Sequence, residues 1–263
     1  IAEAHGVTFC AGLASKGLLP VFAVYSSFLQ RGYDQLIHDC SIYPQHVVLA
    51  IDRAGLVGED GETHQGIFDC AYLSSIPGTS IYAPATYGEL QLCLEEALYR
   101  RKGLCAVRYP RGAQPALEPA YQADGIDLHL LGPRQGKTLL VTYGRLYREV
   151  SQAHKALTQQ GEEISLLKLT RIWPLEAEAV EIAGGFDRVF FLEEGIRWGG
   201  IGEHFALALM ERGYRGRVFI RAIDNRFVPQ GTVEEQLEMV GLNATAIVKM
   251  VIDSGKKGES CEG

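Results

Sequence analysis

No two of the six cysteines (Cys10, Cys40, Cys70, Cys93, Cys105 and Cys261) are spaced C-x-x-C, and no histidine stands near them at zinc-ligand spacing. A disulfide framework and a zinc site are therefore not indicated, and no metal ligand set is expected within the chain. No apolar run reaches the roughly 18 residues that a membrane-spanning helix needs, and the first residues lack the basic flank and apolar stretch of a secretory signal. A cytoplasmic protein without a membrane partner is the default expectation. Positive charge is also in short supply: the formal net charge is −7, which argues against a nucleic-acid partner, because such affinity rests mainly on a basic surface.

What the chain does have is core. With 263 residues and 47% hydrophobic side chains it can bury two domains of ordinary size. Short apolar runs alternate with helical patterns, which predicts parallel sheets covered on both faces. In the first half, helices are predicted over 2–16, 28–42, 67–75 and 86–101, and strands over 21–26, 47–52, 80–83 and 104–109. Thr86 and Glu89 have the spacing of a capping box at the start of the fourth helix. The segment 113–136 is rich in proline and glycine and reads as a linker. A second alternation follows over 137–252, with strands at 138–143, 164–169, 188–193 and 217–222 and helices at 146–160, 176–183, 200–213 and 232–240. Thr232 and Glu235 repeat the capping-box spacing. The polar stretch 253–263 is expected to be disordered.

Several residues could carry chemistry. Glu3 opens a helix whose Val7, Cys10 and Ala14 share its face, so its carboxylate should point inward, where the charged form is disfavoured unless it is paired. A first-turn carboxylate interacting with the helix dipole is the alternative. Tyr25, Phe28 and Arg31 follow a strand, where parallel sheets form ligand clefts; core and solvated roles are the rival reading. The segment Asp52–Gly66 is a long glycine-rich loop dense in ionisable groups, including Asp60 and His64, and is costly to order unless it serves a site. His64 is suited to proton transfer near neutrality. Arg53 and Arg111 both follow strand ends and could converge on one anionic group, for which the planar guanidinium fork is well shaped. Glu193-Glu194-Gly195 and Gly199-Gly200-Ile201-Gly202 only loosely resemble a phosphate loop, and His204 reads as a polar residue at a domain interface.

Taken together, Ile1-Ala2-Glu3-Ala4-His5, Tyr25-Ser26-Ser27-Phe28-Leu29-Gln30-Arg31, Asp52-Arg53-Ala54-Gly55, Asp60-Gly61-Glu62-Thr63-His64-Gln65-Gly66, Arg108-Tyr109-Pro110-Arg111-Gly112 and Val228-Pro229-Gln230-Gly231-Thr232 resemble, in order and spacing, the second half of 1-deoxy-D-xylulose-5-phosphate synthases. Ala4 departs from the glutamine common there. The resemblance implies an α/β fold of two doubly wound domains: a transketolase-type pyrimidine-binding domain over 1–112, incomplete at its start, and a transketolase C-terminal domain over 137–252. It implies thiamine diphosphate as cofactor, with Mg2+ held mainly by a preceding domain that this sequence does not contain. The implied reaction condenses pyruvate with glyceraldehyde 3-phosphate and releases CO2, serving isoprenoid and thiamine biosynthesis.

By the same resemblance, Glu3 would hydrogen-bond the cofactor's pyrimidine, Phe28 would stack on it and Tyr25 would border both cofactor and substrate. Arg53 and Arg111 would hold the substrate phosphate, while Arg31, Asp60 and His64 would line the reacting centre. The full-length protein would be a homodimer. The chain on its own is expected to be inactive, needing a missing N-terminal half or a complementary chain. A split synthase and a transketolase or dehydrogenase β-type subunit are the alternatives.

Overall fold

The computed structural model describes residues 1–114, 126 and 128–259. Four parallel strands, β1 (Val21–Tyr25), β2 (Val47–Asp52), β3 (Ser80–Tyr82) and β4 (Leu104–Arg108), form the first sheet in the order β1-β2-β4-β3. β2 is an unbroken apolar run, buried from Val47 to Ile51, as a strand covered on both faces should be. The register aligns Tyr25 with Asp52 and Ile51 with Arg108. The C-terminal ends of β1, β2 and β4 therefore share one edge of the sheet, and the segments carrying Phe28, Arg53 and Arg111 all leave from it.

The second sheet comprises β5 (His129–Leu131), β6 (Gly136–Tyr143), β7 (Ile164–Leu169), β9 (Phe186–Ile196) and β10 (Arg217–Ile223), in the order β10-β9-β6-β7-β5. Its strands are parallel except for the β5 edge strand. One further strand, β8 (Arg171–Trp173), leaves this half and pairs antiparallel with β3, so the first sheet is completed by the second domain. Helix α1 (Glu3–Ala14) packs on the first sheet; α2 (Asp69–Ser74) and α3 (Tyr87–Glu95) follow. The second sheet carries α4 (Tyr147–Gln159), α5 (Ala177–Gly184), α6 (Ile201–Glu211), α7 (Val233–Val240) and α8 (Ala244–Glu259). Among the described residues no helix is long and apolar enough to cross a membrane.

Four sequence expectations change. The helix predicted over 28–42 is broken into short turns of differing pitch between Ser26 and Ser41. The break falls at Gly32, which meets α1 so closely that a Cβ there would lie 2.9 Å from Val7. The linker expected over 113–136 is shorter at its end, because His129–Leu131 pairs with β7 as an edge strand; residues 115–125 and 127 lie outside the described residues. Order also continues past position 253. Ile247 and Val251 repeat at helical spacing and are buried in the second core, carrying α8 to Glu259, while residues 260–263 of the expected disordered tail lie outside the described residues.

The capping box at Thr86 forms by half. Thr86 accepts the N–H of Glu89, but the Glu89 carboxylate accepts the N–H of Ala85 and an ion pair from Lys168. Both charged side chains are buried, so the second domain takes the group that would have completed the cap. At Thr232 both halves of the box are present.

Candidate active site

Arg53 leaves β2 with φ of 59°, in the left-handed region where a side chain costs about 1–2 kcal/mol. Two features enforce that turn. The Arg53 N–H donates to Asp52 Oδ1 at 2.6 Å, and Gly55 and Gly66 bridge antiparallel to close the loop at its neck. Gly66 must be glycine, since a Cβ would fall 2.0 Å from the Arg53 carbonyl oxygen.

The loop is held from outside by the second domain. Glu194 accepts the N–H of Leu56 at 2.7 Å and pairs with Arg145, which in turn donates to the Leu56 carbonyl at 2.8 Å. Buried Gln236, on α7, accepts the Gly58 N–H at 2.9 Å and donates back to the Gly58 carbonyl at 3.3 Å. Gln65 accepts the Val57 N–H and donates to the Val228 carbonyl, and Gln230 donates to the carbonyl of Glu59. These clamps offset much of the cost of ordering the loop.

The two arginines converge. Arg53 Nε lies 3.2 Å from one Asp60 oxygen and an Arg111 nitrogen 3.2 Å from the other, so Asp60 bridges them. Arg53 also pairs with Asp52 at 3.0 Å and lies over the Tyr25 ring at 3.7 Å. Tyr25 stacks on Phe28 with centroids 5.3 Å apart, and His64 meets Phe28 edge-on at 5.2 Å, its Nδ1 within 2.9 Å of the Thr63 hydroxyl. A cavity of about 350 Å³ opens beside Arg53, Tyr109 and Arg111, with Arg145 in its wall.

Glu3 faces inward, 14% exposed, with Oε1 3.3 Å from Arg31. Its other oxygen, Oε2, is buried without a hydrogen-bond partner. Arg31 also lies over the Phe28 ring at 5.1 Å. Ser27, Phe28 and Arg31 line a second cavity of about 560 Å³ together with Phe68, Tyr72 and Phe227. All of the residues singled out from sequence (Glu3, Tyr25, Phe28, Arg31, Arg53, Asp60, His64 and Arg111) thus join one connected network of contacts.

Sequence reasoning missed Arg145, Glu194 and Gln236, which reach the loop from the second domain. The only available sign was a Glu-Glu pair at a strand end. The glycine-rich turn at 199–202 is no phosphate loop. Glu193 accepts the N–H groups of Ile201 and Gly202 at 3.1 and 2.9 Å and the Tyr143 hydroxyl at 2.8 Å, so the helix N-terminus is already filled by the chain's own carboxylate. Burial pushes Glu193 up to about 7, against those hydrogen bonds and the nearby charge of Arg108. His204 sits at the interface as expected, 3.3 Å from the Ser74 hydroxyl and with its ring 4.8 Å from that of Trp173.

Comparison with known proteins bears on the fold and its two domains. Residues 1–115 match the transketolase pyrimidine-binding domain family and residues 131–247 the transketolase C-terminal domain family. The 1-deoxy-D-xylulose-5-phosphate synthase of Halalkalibacterium halodurans is 41% identical over 255 residues, covering 95% of this chain and 40% of the relative. That of Gloeobacter violaceus is 39% identical over 260 residues, covering 97% and 40%. The chain therefore spans about 40% of the length of the curated relatives it matches. Among solved structures, a split-gene transketolase described as an inactive β4 tetramer superposes with a TM-score of 0.85 at 23% identity, covering 96% of this chain and 82% of that one. Transketolase from Campylobacter jejuni superposes with a TM-score of 0.74 at 16% identity, covering 94% and 38%.

Proposed function

Because the chain belongs to the transketolase family, carrying its pyrimidine-binding and C-terminal domains in tandem, we propose that it is the pyrimidine-binding portion of a thiamine-diphosphate-dependent 1-deoxy-D-xylulose-5-phosphate synthase. The carrying observation is Glu3 Oε2, a buried acceptor with no partner. A buried carboxylate oxygen left unsatisfied is costly unless a donor arrives, and a protonated pyrimidine nitrogen is such a donor. The adjacent Phe28 ring offers the aromatic face on which a pyrimidine stacks, a contact that contributes roughly 0.5–1.5 kcal/mol beyond burial. The residues present therefore fit the cofactor's pyrimidine end.

When bound, thiamine diphosphate supplies the nucleophilic carbon and the electron sink that decarboxylation of pyruvate requires. Glu3 would hold a proton at the pyrimidine nitrogen, and Arg31, 3.3 Å from its other oxygen, would aim the carboxylate. Arg53 and Arg111 would take the phosphate of glyceraldehyde 3-phosphate in the place where Asp60 now bridges them. His64, with Nδ1 engaged by Thr63, would move a proton at the acceptor aldehyde oxygen, and Tyr25 would close the floor between cofactor and substrate. Mg2+ and the diphosphate would be held by a preceding domain or a complementary chain, in a homodimeric whole. The solved split-gene transketolase, described as an inactive β4 tetramer, has this fold. Alone, this chain is expected to have no synthase activity.

The test joins or mixes the chain with a homologous diphosphate-binding half, with Mg2+ and thiamine diphosphate. Formation of 1-deoxy-D-xylulose 5-phosphate is expected from pyruvate and glyceraldehyde 3-phosphate, falling about 10²–10⁴-fold in Glu3→Ala. A folded, cofactor-bound assembly that is inactive on this substrate pair would sink the proposal.

A further inference from the structure

The chain carries a net charge of −7, yet one part of its second domain gathers cations. β10 is the edge strand of the second sheet, and the alternation of a strand sends Arg217, Phe219 and Arg221 to one face. On α8, Ala246, Lys249, Met250 and Asp253 fall at i, i+3, i+4 and i+7, one helical stripe beside the core-facing Ile247 and Val251. Phe219 and Arg221, together with that stripe and Ser254, line a cavity of about 400 Å³. The volume lies within the roughly 300–1,000 Å³ of small-molecule sites.

Arg221 is the unspent group. Its side chain is half-buried and its Nε is buried without a hydrogen-bond partner. The end of α7 lies against it, since a Cβ on Gly241 would stand 3.9 Å from its Cζ, Nε and Nη1 alike, but gives Nε no acceptor. Among the described residues, no carboxylate lies within 4.0 Å of Arg188, Arg217, Arg221 or Lys249. Arg188 donates to the Ser254 hydroxyl at 3.1 Å and Arg217 lies over the Phe219 ring at 5.7 Å, so two further cations border the lining. Asp253, which is exposed, is the one carboxylate in it. A half-buried guanidinium with no counter-ion is costly unless an anion arrives.

The remaining walls select among anions. Met250, Ala246 and Phe219 are apolar, and Phe219 is fixed by stacking on buried Phe190 with centroids 4.6 Å apart. The Ser254 hydroxyl is already spent, donating to the Val251 carbonyl at 2.7 Å while accepting from Arg188. A bare inorganic anion would leave the apolar walls in water, and an uncharged apolar molecule would leave Arg221 unpaired. A phosphate ester with a compact apolar body meets both demands: the guanidinium fork suits the phosphate, and the methionine thioether adapts to the body.

We propose that the cavity between β10 and α8 is a binding site for a small organic phosphate, its phosphate taken by Arg221 and Lys249 and its apolar body by Met250 and Phe219. Glu3, Phe28, Arg53 and Arg111 lie in the other domain and play no part in it.

The test uses the full chain. It has three methionines, Met210, Met239 and Met250, so isotope labelling of their methyl groups gives one NMR reporter in the cavity lining and two outside it. Phenyl phosphate is the probe, with inorganic phosphate and phenol as its two halves. A saturable shift of the Met250 signal alone is expected, with phenyl phosphate binding at least about fivefold tighter than either half. Arg221→Gln, which removes no internal hydrogen bond, should weaken it roughly ten- to hundredfold, while Arg221→Lys should keep part of the affinity. Arg53→Gln should leave the Met250 titration unchanged, which separates this site from the arginines of the first domain. Thermal melting checks folding, and should Arg221→Gln not fold, Lys249→Gln decides by the same criterion with a loss of about two- to fivefold. No saturable shift at Met250, equal affinity for inorganic phosphate or for phenol, or undiminished affinity in the folded variant would each overturn the site.

Discussion

Two glycine-rich segments follow the ends of parallel strands in this chain, and they have opposite outcomes. The segment after β9 satisfies itself: Glu193 takes two backbone N–H groups and a tyrosine hydroxyl. The segment after β2 is satisfied from outside, by Glu194, Arg145 and Gln236. Its surroundings still leave Glu3 Oε2 and the hydroxyls of Ser26, Ser27 and Tyr72 buried and unpartnered. Glycine content and position at a strand end are shared, so neither marks a site. What separates the two is the source of the support: a carboxylate at the segment's own strand end in one case, three side chains of the other domain in the other.

Breaking the outside support should have the largest effect. Glu194→Ala strips the counter-ion from Arg145, itself only 13% exposed, and the acceptor from the Leu56 N–H. Removing one partner of such a pair costs about 3–5 kcal/mol, measurable by urea unfolding. The loss should begin in the loop, with faster hydrogen exchange at Leu56 and Val57 than in β6. If those amides keep wild-type protection, the loop orders itself and the contrast between the segments fails.

The self-satisfied segment can be tested through pH. Burial raises the folded-state pKa of Glu193 from near 4.5 to about 7, so the folded state holds this proton more tightly than the unfolded chain. Its contribution is complete below pH 4.5 and is lost as pH rises through about 7, an effect of roughly 3 kcal/mol. The groups facing it are Tyr143, Arg108 and Cys70. Comparing unfolding free energies of wild type and Glu193→Gln from pH 5 to 8 isolates the term: the wild type should lose stability relative to the variant across that range. Parallel profiles would mean that Glu193 is ionised throughout.

What was legible in the sequence follows the same division. The four parallel strands of the first sheet and the inward face of Glu3 were readable, because periodicity is a local property; that Arg53 and Arg111 meet depends on β2 lying beside β4, which no local pattern states. Other contacts that reach across the chain were not readable either. Glu89 has the spacing of a capping box, but Lys168, 79 positions away, claims its carboxylate, and no local pattern announces that. Gln236 reads as an ordinary residue of an amphipathic helix until its amide is found on Gly58, 178 positions distant. β5 and β8 are part-exposed edge strands of three residues each, defined by their partners; β3 is as short but buried throughout, and so it shows as a short apolar run.

The smallest predicted effect tests how firmly the loop depends on α7. Thr232 caps that helix with a complete capping box, and replacing such a cap by alanine costs about 1 kcal/mol. For a chain of this size that is roughly 2–4 °C in melting temperature. If the helix only packs on the second core, Thr232→Ala should stop there. Gln236, one turn beyond the cap, holds Gly58 by both its N–H and its carbonyl, so fraying of the first turn should also reach the loop. The expected result is the small global loss together with faster exchange at the Gly58 amide, while the amides of Ile201 and Gly202 keep their wild-type rates. Equal changes at Gly58 and Gly202 would show that the two segments share one support after all.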